Sequence, residues 1–226
     1  MELWHALNRG VDGRDLFLDF QDYARFVHNL YEFNDSAPAD NLWRLFDPTG
    51  MKGFVNHSFG RKRKKLVDIH GWVLMRNHYH LLLSERVEGG MSLFLRKLNV
   101  GYANYFNERY GRKGTLFQGR TKKVLIEHHA HFLYVLHYLH LNPLDYFKGA
   151  EEWRVRSKSG IKNTHEALQY LDSYRWSSYL DYAGKKNFPS ILTTSLFKNE
   201  RDDYHKSLND YLRDAEYDGL VDLALE

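Results

Sequence analysis

Residues 71–84, GWVLMRNHYHLLLS, decide how the rest of the chain is read. They form an apolar run, a polar break at Arg76 and Asn77, and a second apolar run that carries His78, Tyr79 and His80. Two β-strands joined by a tight turn make this pattern. Side chains two apart on a strand share a face, about 7 Å apart along it. His78 and His80 therefore project together, while Tyr79 faces the other way. Two imidazoles on one rigid strand make half of a metal site. By itself a His-x-His pair in a chain with 13 histidines is weak evidence, and a second group of ligands is needed.

Working outward, composition sets the bounds. The 226 residues are 43% hydrophobic and 15% aromatic, enough for one good-sized domain with a real core. No apolar run approaches the roughly 18 residues of a membrane span. The opening MELWHALNRG has no apolar signal core, so a cytoplasmic protein is expected. With no cysteine, disulfides, thiolate ligands and cysteine nucleophiles are excluded. Net charge is only +3 but unevenly spread. Arg61, Lys62, Arg63, Lys64 and Lys65 form an unbroken basic run. Arg109, Arg112, Lys113, Arg120, Lys122 and Lys123 form a second cluster, interleaved with Tyr105, Tyr110 and Phe117. Cations can meet phosphates and rings can stack on bases, so both clusters are candidate nucleic-acid contacts. Any single charge run is ordinarily a solvated surface. The tail after Lys198 is mostly acidic.

The order of elements follows from periodicity. A strand is expected over residues 3–8, followed by a glycine turn. Phe20, Tyr23, Phe26, Val27, Leu30 and Tyr31 recur at helical spacing, with Asp19 as N-cap. Residues 36–65 contain Pro38, Pro48, Gly50, Gly53 and Gly60; they read as an insertion with a short helix near 41–46. Strands follow over 66–75 and 78–84, then an amphipathic helix over 91–109, a strand over 122–126 and a helix over 129–141 ended by Pro143. Strand, helix, strand, strand, helix, strand is the ferredoxin-like split βαβ order, an α+β antiparallel sheet with helices on one face. A core over 1–146 and a helical and irregular C-terminal extension over 147–226 are expected, with short helices near 165–171 and 176–182.

The helix over 129–141 supplies the second group of ligands. His131, Tyr134, Tyr138 and Asn142 are spaced three, four and four apart and form one polar stripe. Tyr138 and Asn142 are one turn apart and can act at one point. The Asn142 carbonyl oxygen can join two imidazoles on a divalent ion, Mg²⁺ or Mn²⁺ more readily than Zn²⁺. A phenol with a pKa of about 10 is a poor nucleophile at neutral pH, and a nearby cation favours its phenolate. Tyr134 shares the stripe and is a rival nucleophile. Half-buried helix tyrosines and a helix-capping Asn142 remain the ordinary reading of this helix taken alone.

Five stretches carry a family resemblance: HALNRG, WVLMRNHYHLLLS, YANYFNERYGRKGTLFQGRTK, YLHLNPLDY and YRWSSYLDY. In this order and spacing the chain resembles the REP-associated tyrosine transposase branch of the single-tyrosine HUH transposases, over most of residues 3–182. The resemblance implies a ferredoxin-like nuclease core. It implies His78 and His80 as metal ligands with Asn142, Tyr138 as nucleophile, and Mg²⁺ or Mn²⁺ as cofactor. It implies single-stranded or hairpin DNA as partner, cleaved through a 5′-phosphotyrosine with release of a 3′-OH, and a monomer or homodimer associated with the nucleoid. Arg76 stands where the family usually has proline, and Tyr79 where it has a smaller residue. The alternative expectation is a sequence-specific DNA-binding regulator on the same fold, without transposition activity.

Overall fold

The computed structural model describes residues 1–38, 63–127, 129–150, 153–154, 161, 163–197 and 203–213, with the backbone alone for 129–132. The helix expected near 41–46, Arg61, Lys62, most of the insertion, most of residues 154–163 and most of the acidic tail lie outside the described residues.

Four strands, Leu3–Arg9 (β1), Val67–Met75 (β2), His78–Glu85 (β3) and Lys122–Ile126 (β4), form a sheet in the order β2-β3-β1-β4. Every neighbouring pair is antiparallel. With Phe20–Glu32 (α1) and Gly90–Arg109 (α2) as the crossovers, this is the expected split βαβ arrangement. Asp19 caps α1 as expected; its side chain accepts from the backbone N–H of Gln21 and Asp22.

Both crossover helices lie on one face of the sheet. Phe26, Val27 and Leu30 of α1 and Phe94, Leu98, Tyr102 and Phe106 of α2 pack there. They meet Trp72, Leu74, Tyr79, Leu81 and Leu83 of the hairpin, all fully or almost fully buried. The sheet is covered on its other face as well, which the expectation of one helical face left out. There Leu3, Val73, Met75, Leu82 and Ile126 meet Val135, Leu136 and Leu139 of His129–Leu141 (α3). Three further helices, Thr164–Ser173 (α4), Tyr179–Tyr182 (α5) and Tyr204–Arg213 (α6), add buried residues to the same cluster. The signal was present in the unbroken WVLM and LLL runs, because a strand buried on both faces loses its polar alternation.

Two local features seat this second layer. Gly71 sits at a bulge in β2, and a Cβ there would come within 2.9 Å of a Leu136 methyl. Its missing side chain lets α3 approach the sheet closely. The exposed edge of β2 is covered by residues 176–178: Leu74 N–H donates to Trp176 O and Ser178 N–H to Trp72 O, each at 2.9 Å. This pairing explains why the helix expected over 176–182 is only Tyr179–Tyr182, because 176–178 is committed to the edge.

Candidate catalytic site

The period of β3 places His78 and His80 on the α3 face and Tyr79 on the α1/α2 face. The two imidazole centroids are 4.9 Å apart, edge to face. His78 is held from the turn before it. Its Nδ1 lies 2.6 Å from Asn77 Oδ1. Asn77 Nδ2 donates to Gly13 O at 3.3 Å, which turns the amide oxygen toward the ring. That oxygen can only accept, so His78 Nδ1 carries the proton and Nε2 keeps a lone pair.

His80 has a different partner, which the sequence reading missed. His5 of β1 lies parallel to it, with centroids 5.1 Å apart and planes at 4°. His5 Nε2 and His80 Nδ1 share a hydrogen bond of 2.9 Å. Both rings are fully buried. Burial, aided by the Lys122 charge, holds the His5 pKa at about 3. Burial first, then His5, His78, Arg154 and Arg9, drive His80 well below its ordinary value. Both rings are therefore neutral at pH 7. His80 Nε2 is buried and has no hydrogen-bond partner among the described residues.

Packing of α3 brings the phenol to this pair. The Tyr138 ring lies edge-on to both imidazoles, 6.0 Å from His80 and 6.4 Å from His5. Asn142, in the 3-10 turn Asn142–Tyr146 that follows α3, is fully buried and serves two roles. Its Nδ2 donates to Tyr138 O at 2.8 Å, closing the helix end. Its Oδ1 accepts from Arg154 Nη2 at 2.9 Å. Arg154 Nη1 also donates to the Tyr138 hydroxyl at 2.8 Å. Asp145 anchors this guanidinium through both carboxylate oxygens, at 2.9 and 2.7 Å. Burial opposes the Arg154 charge, but Asp145 and Tyr138 outweigh it and hold its pKa above the ordinary value. The Tyr138 ring thus reaches His80 and His5, His78 neighbours His80, and Arg154 links the Tyr138 hydroxyl to Asn142. The rival Tyr134 packs its ring against Tyr211 of α6, 5.9 Å away.

A divalent ion fits this set on its imidazole side, where the buried His80 Nε2, without a hydrogen-bond partner among the described residues, offers a lone pair when the His80 proton is on Nδ1. On its oxygen side the amide of Asn142 faces Arg154. The candidate ligands are two imidazoles and an amide, none of them anionic, and no group of three or more His, Cys, Asp or Glu side chains converges among the described residues. An ion held by neutral donors keeps its full charge for an anionic substrate, at the cost of weak binding without one.

The basic residues divide into two kinds. Arg109 bonds to Asp19 and to Asp22, and the fully buried Asp22 also accepts from Tyr105 and Tyr110. Arg109 therefore ties α2 to the start of α1. Arg63 lies over the Tyr31 ring and donates to Tyr31 O and Asn34 O. Arg112 donates to Asn107 Oδ1 at 3.1 Å. Lys64, Lys113, Arg120, Lys122 and Lys123 are exposed, and Lys65 is half-buried. Lys122 pairs with Leu7 and so shares a face with His5 and His80, whereas Lys123 pairs with Ala6 and faces the opposite way. A groove of about 380 Å³ lies at this end of the sheet, lined by Arg9, Arg120 and Lys122 together with Leu7, Asn8, Gln118 and Gly119. Leu7 also pairs with His80, so the groove adjoins the imidazoles.

No family model matches the chain, and a search of curated proteins finds no match. Among solved structures, the chain is similar to a REP-associated tyrosine transposase bound to a REP hairpin. The identity is 13%, over 86% of this chain and 87% of that one, with a TM-score of 0.48. Among the described residues no helix is long and apolar enough to cross a membrane.

Proposed function

We propose that the protein is a single-tyrosine DNA strand-transfer enzyme that uses a divalent ion, Mg²⁺ or Mn²⁺, and acts on single-stranded or hairpin DNA. One observation supports this reading: the Tyr138 ring stands beside His80, itself next to His78, with its hydroxyl held by a guanidinium. The sequence resemblance described above supports it independently.

In this reading His78 and His80 would hold the ion, joined by the lone pair of Asn142 Oδ1 that Arg154 leaves open. Bound there, it would supply Lewis-acid polarisation of a phosphodiester oxygen. The chain's own groups do the rest. Arg154 orients the Tyr138 hydroxyl and favours its phenolate. The Tyr138 oxygen attacks phosphorus, a P–O bond forms, and the bond from phosphorus to the 3′ oxygen breaks. The phenol proton leaves to water, and the 3′ oxygen takes one up to become a hydroxyl. The product is a 5′-phosphotyrosine with its bond energy retained, so a second 3′-OH can reverse the step and join strands. Arg9, Arg120 and Lys122 line a path for the flanking phosphates.

The test is incubation with end-labelled, hairpin-bearing single-stranded DNA and Mn²⁺, followed by denaturing electrophoresis and mapping of the linked peptide. A DNA adduct on Tyr138 is expected. An adduct that persists in Tyr138→Phe overturns the nucleophile assignment. Hairpin binding without any adduct favours the DNA-binding regulator instead.

A further inference from the structure

His78 and His80 are oriented by different means, and the difference assigns a role to His5. At His78 the proton is placed by an amide oxygen that can only accept. At His80 the Nδ1 partner is another imidazole, which can accept or donate. The 2.9 Å bond holds one proton between the rings, and a His80 that ligates an ion carries its single proton on the nitrogen turned away from the ion. Two arrangements satisfy the shared bond. In one, His5 Nε2–H donates, and the remaining proton of His80 sits on Nε2, where it blocks ligation. In the other, His80 Nδ1–H donates to His5 Nε2, and His80 Nε2 offers a lone pair. The outer nitrogens, His5 Nδ1 and His80 Nε2, are both buried with no hydrogen-bond partner among the described residues, so neither arrangement is favoured from outside.

We propose that His5 is a positioning residue: by accepting the Nδ1 proton of His80, it fixes the tautomer in which His80 Nε2 can hold the divalent ion. This inference rests on the metal reading of the site given above. The geometry supports it in two further ways. The rings lie edge to edge and nearly coplanar, with planes at 4° and centroids 5.1 Å apart, which keeps the shared hydrogen bond in both ring planes. Full burial of both rings excludes water as a substitute acceptor for the Nδ1 proton. His5 is thus to His80 what Asn77 is to His78, an acceptor behind the ligating ring. A ligand partner of this kind typically changes metal affinity by about 10–100-fold when removed.

The experiment uses the full chain with ¹⁵N-labelled histidine. Long-range ¹H–¹⁵N spectra are recorded with and without Mg²⁺, and Mn²⁺ affinity is measured by calorimetry for wild type, His5→Phe and His5→Gln. The phenylalanine keeps an aromatic ring at this position and removes the acceptor; the glutamine supplies an oxygen in its place. With Mg²⁺ the wild-type His80 should carry its proton on Nδ1 and show its shift at Nε2. His5→Phe should lose about 10–100-fold in Mn²⁺ affinity, and His5→Gln should recover most of it. A His80 proton on Nε2 in the Mg²⁺ complex, or a His5→Phe protein that binds Mn²⁺ as wild type does, overturns the inference alone. A wild type that binds neither ion overturns the metal reading and this inference with it. If His5→Phe does not fold, the wild-type Mg²⁺ spectrum decides between the two arrangements by itself.

Discussion

The two faces of the sheet are built from the same strands and bury different side chains: aromatic and aliphatic groups toward α1 and α2, and imidazoles among apolar residues toward α3. On the α1/α2 face Tyr79 OH donates to Asn99 Oδ1 at 2.8 Å and Tyr102 OH to Leu16 O at 2.5 Å, while Trp72 Nε1 is buried with no hydrogen-bond partner among the described residues. On the α3 face, buried nitrogens of His5 and His80 have no such partners among the described residues. An unpaired buried polar group costs about 1–3 kcal/mol. Neighbouring residues of β3 illustrate the contrast: Tyr79 packs into the α1/α2 core, and His78 and His80 face the candidate site. Because the side-chain period is two, the strand serves both faces at once.

The largest effect separates the two faces by activity. Tyr138→Phe should reduce DNA cleavage and adduct formation by more than about 10³-fold, with the melting temperature nearly unchanged, since only the hydroxyl is lost. Residual cleavage within tenfold of wild type would place the chemistry elsewhere. The second effect separates them by stability. Phe26→Ala, in the aromatic cluster with Tyr79 and Tyr102, should cost about 3–5 kcal/mol in denaturant unfolding. A cost below about 1 kcal/mol would mean that this face is not the tight core described.

Third, Arg154→Gln should slow adduct formation by about 10–100-fold and move the pH–rate profile upward, because the phenolate loses its guanidinium. A slower rate with an unmoved profile would limit Arg154 to a structural role. Fourth, pH should act through the buried imidazoles. His5 is lowered to about 3 by burial and the Lys122 charge, and His140 is driven well below its ordinary value by burial and by His137. The unfolded chain takes up protons below about pH 6.5 while these folded rings do not. Stability is therefore full above that pH and falls as pH drops toward the folded values, by up to about 1.4 kcal/mol per pH unit for each such histidine. Thermal melts between pH 7 and 5 check this; an unchanged midpoint contradicts it. The smallest effect belongs to Tyr79→Phe, about 1 kcal/mol from the lost bond to Asn99, with cleavage within threefold of wild type. A large activity loss there would erase the distinction between the faces.

Much of this was legible before any coordinates. The hairpin, the shared face of His78 and His80, and the one-turn spacing of Tyr138 and Asn142 follow from periods of two and 3.6 residues, which are local properties. The N-cap Asp19 and the six-element order were readable for the same reason. The basic clusters were legible as composition but not as roles, since nothing in the run near Arg109 announces that Asp19 and Asp22, about 90 residues earlier, hold it.

The sequence by itself determined which side chains each element presents and on which of its faces, because backbone geometry repeats within each element. Only the tertiary structure decided what those side chains meet. It set His5 against His80 across 75 residues, brought Arg154 to the Tyr138 hydroxyl, and covered both faces of the sheet. Such meetings depend on strand register and on how closely α3 seats at Gly71, and no short-range pattern in the chain encodes either.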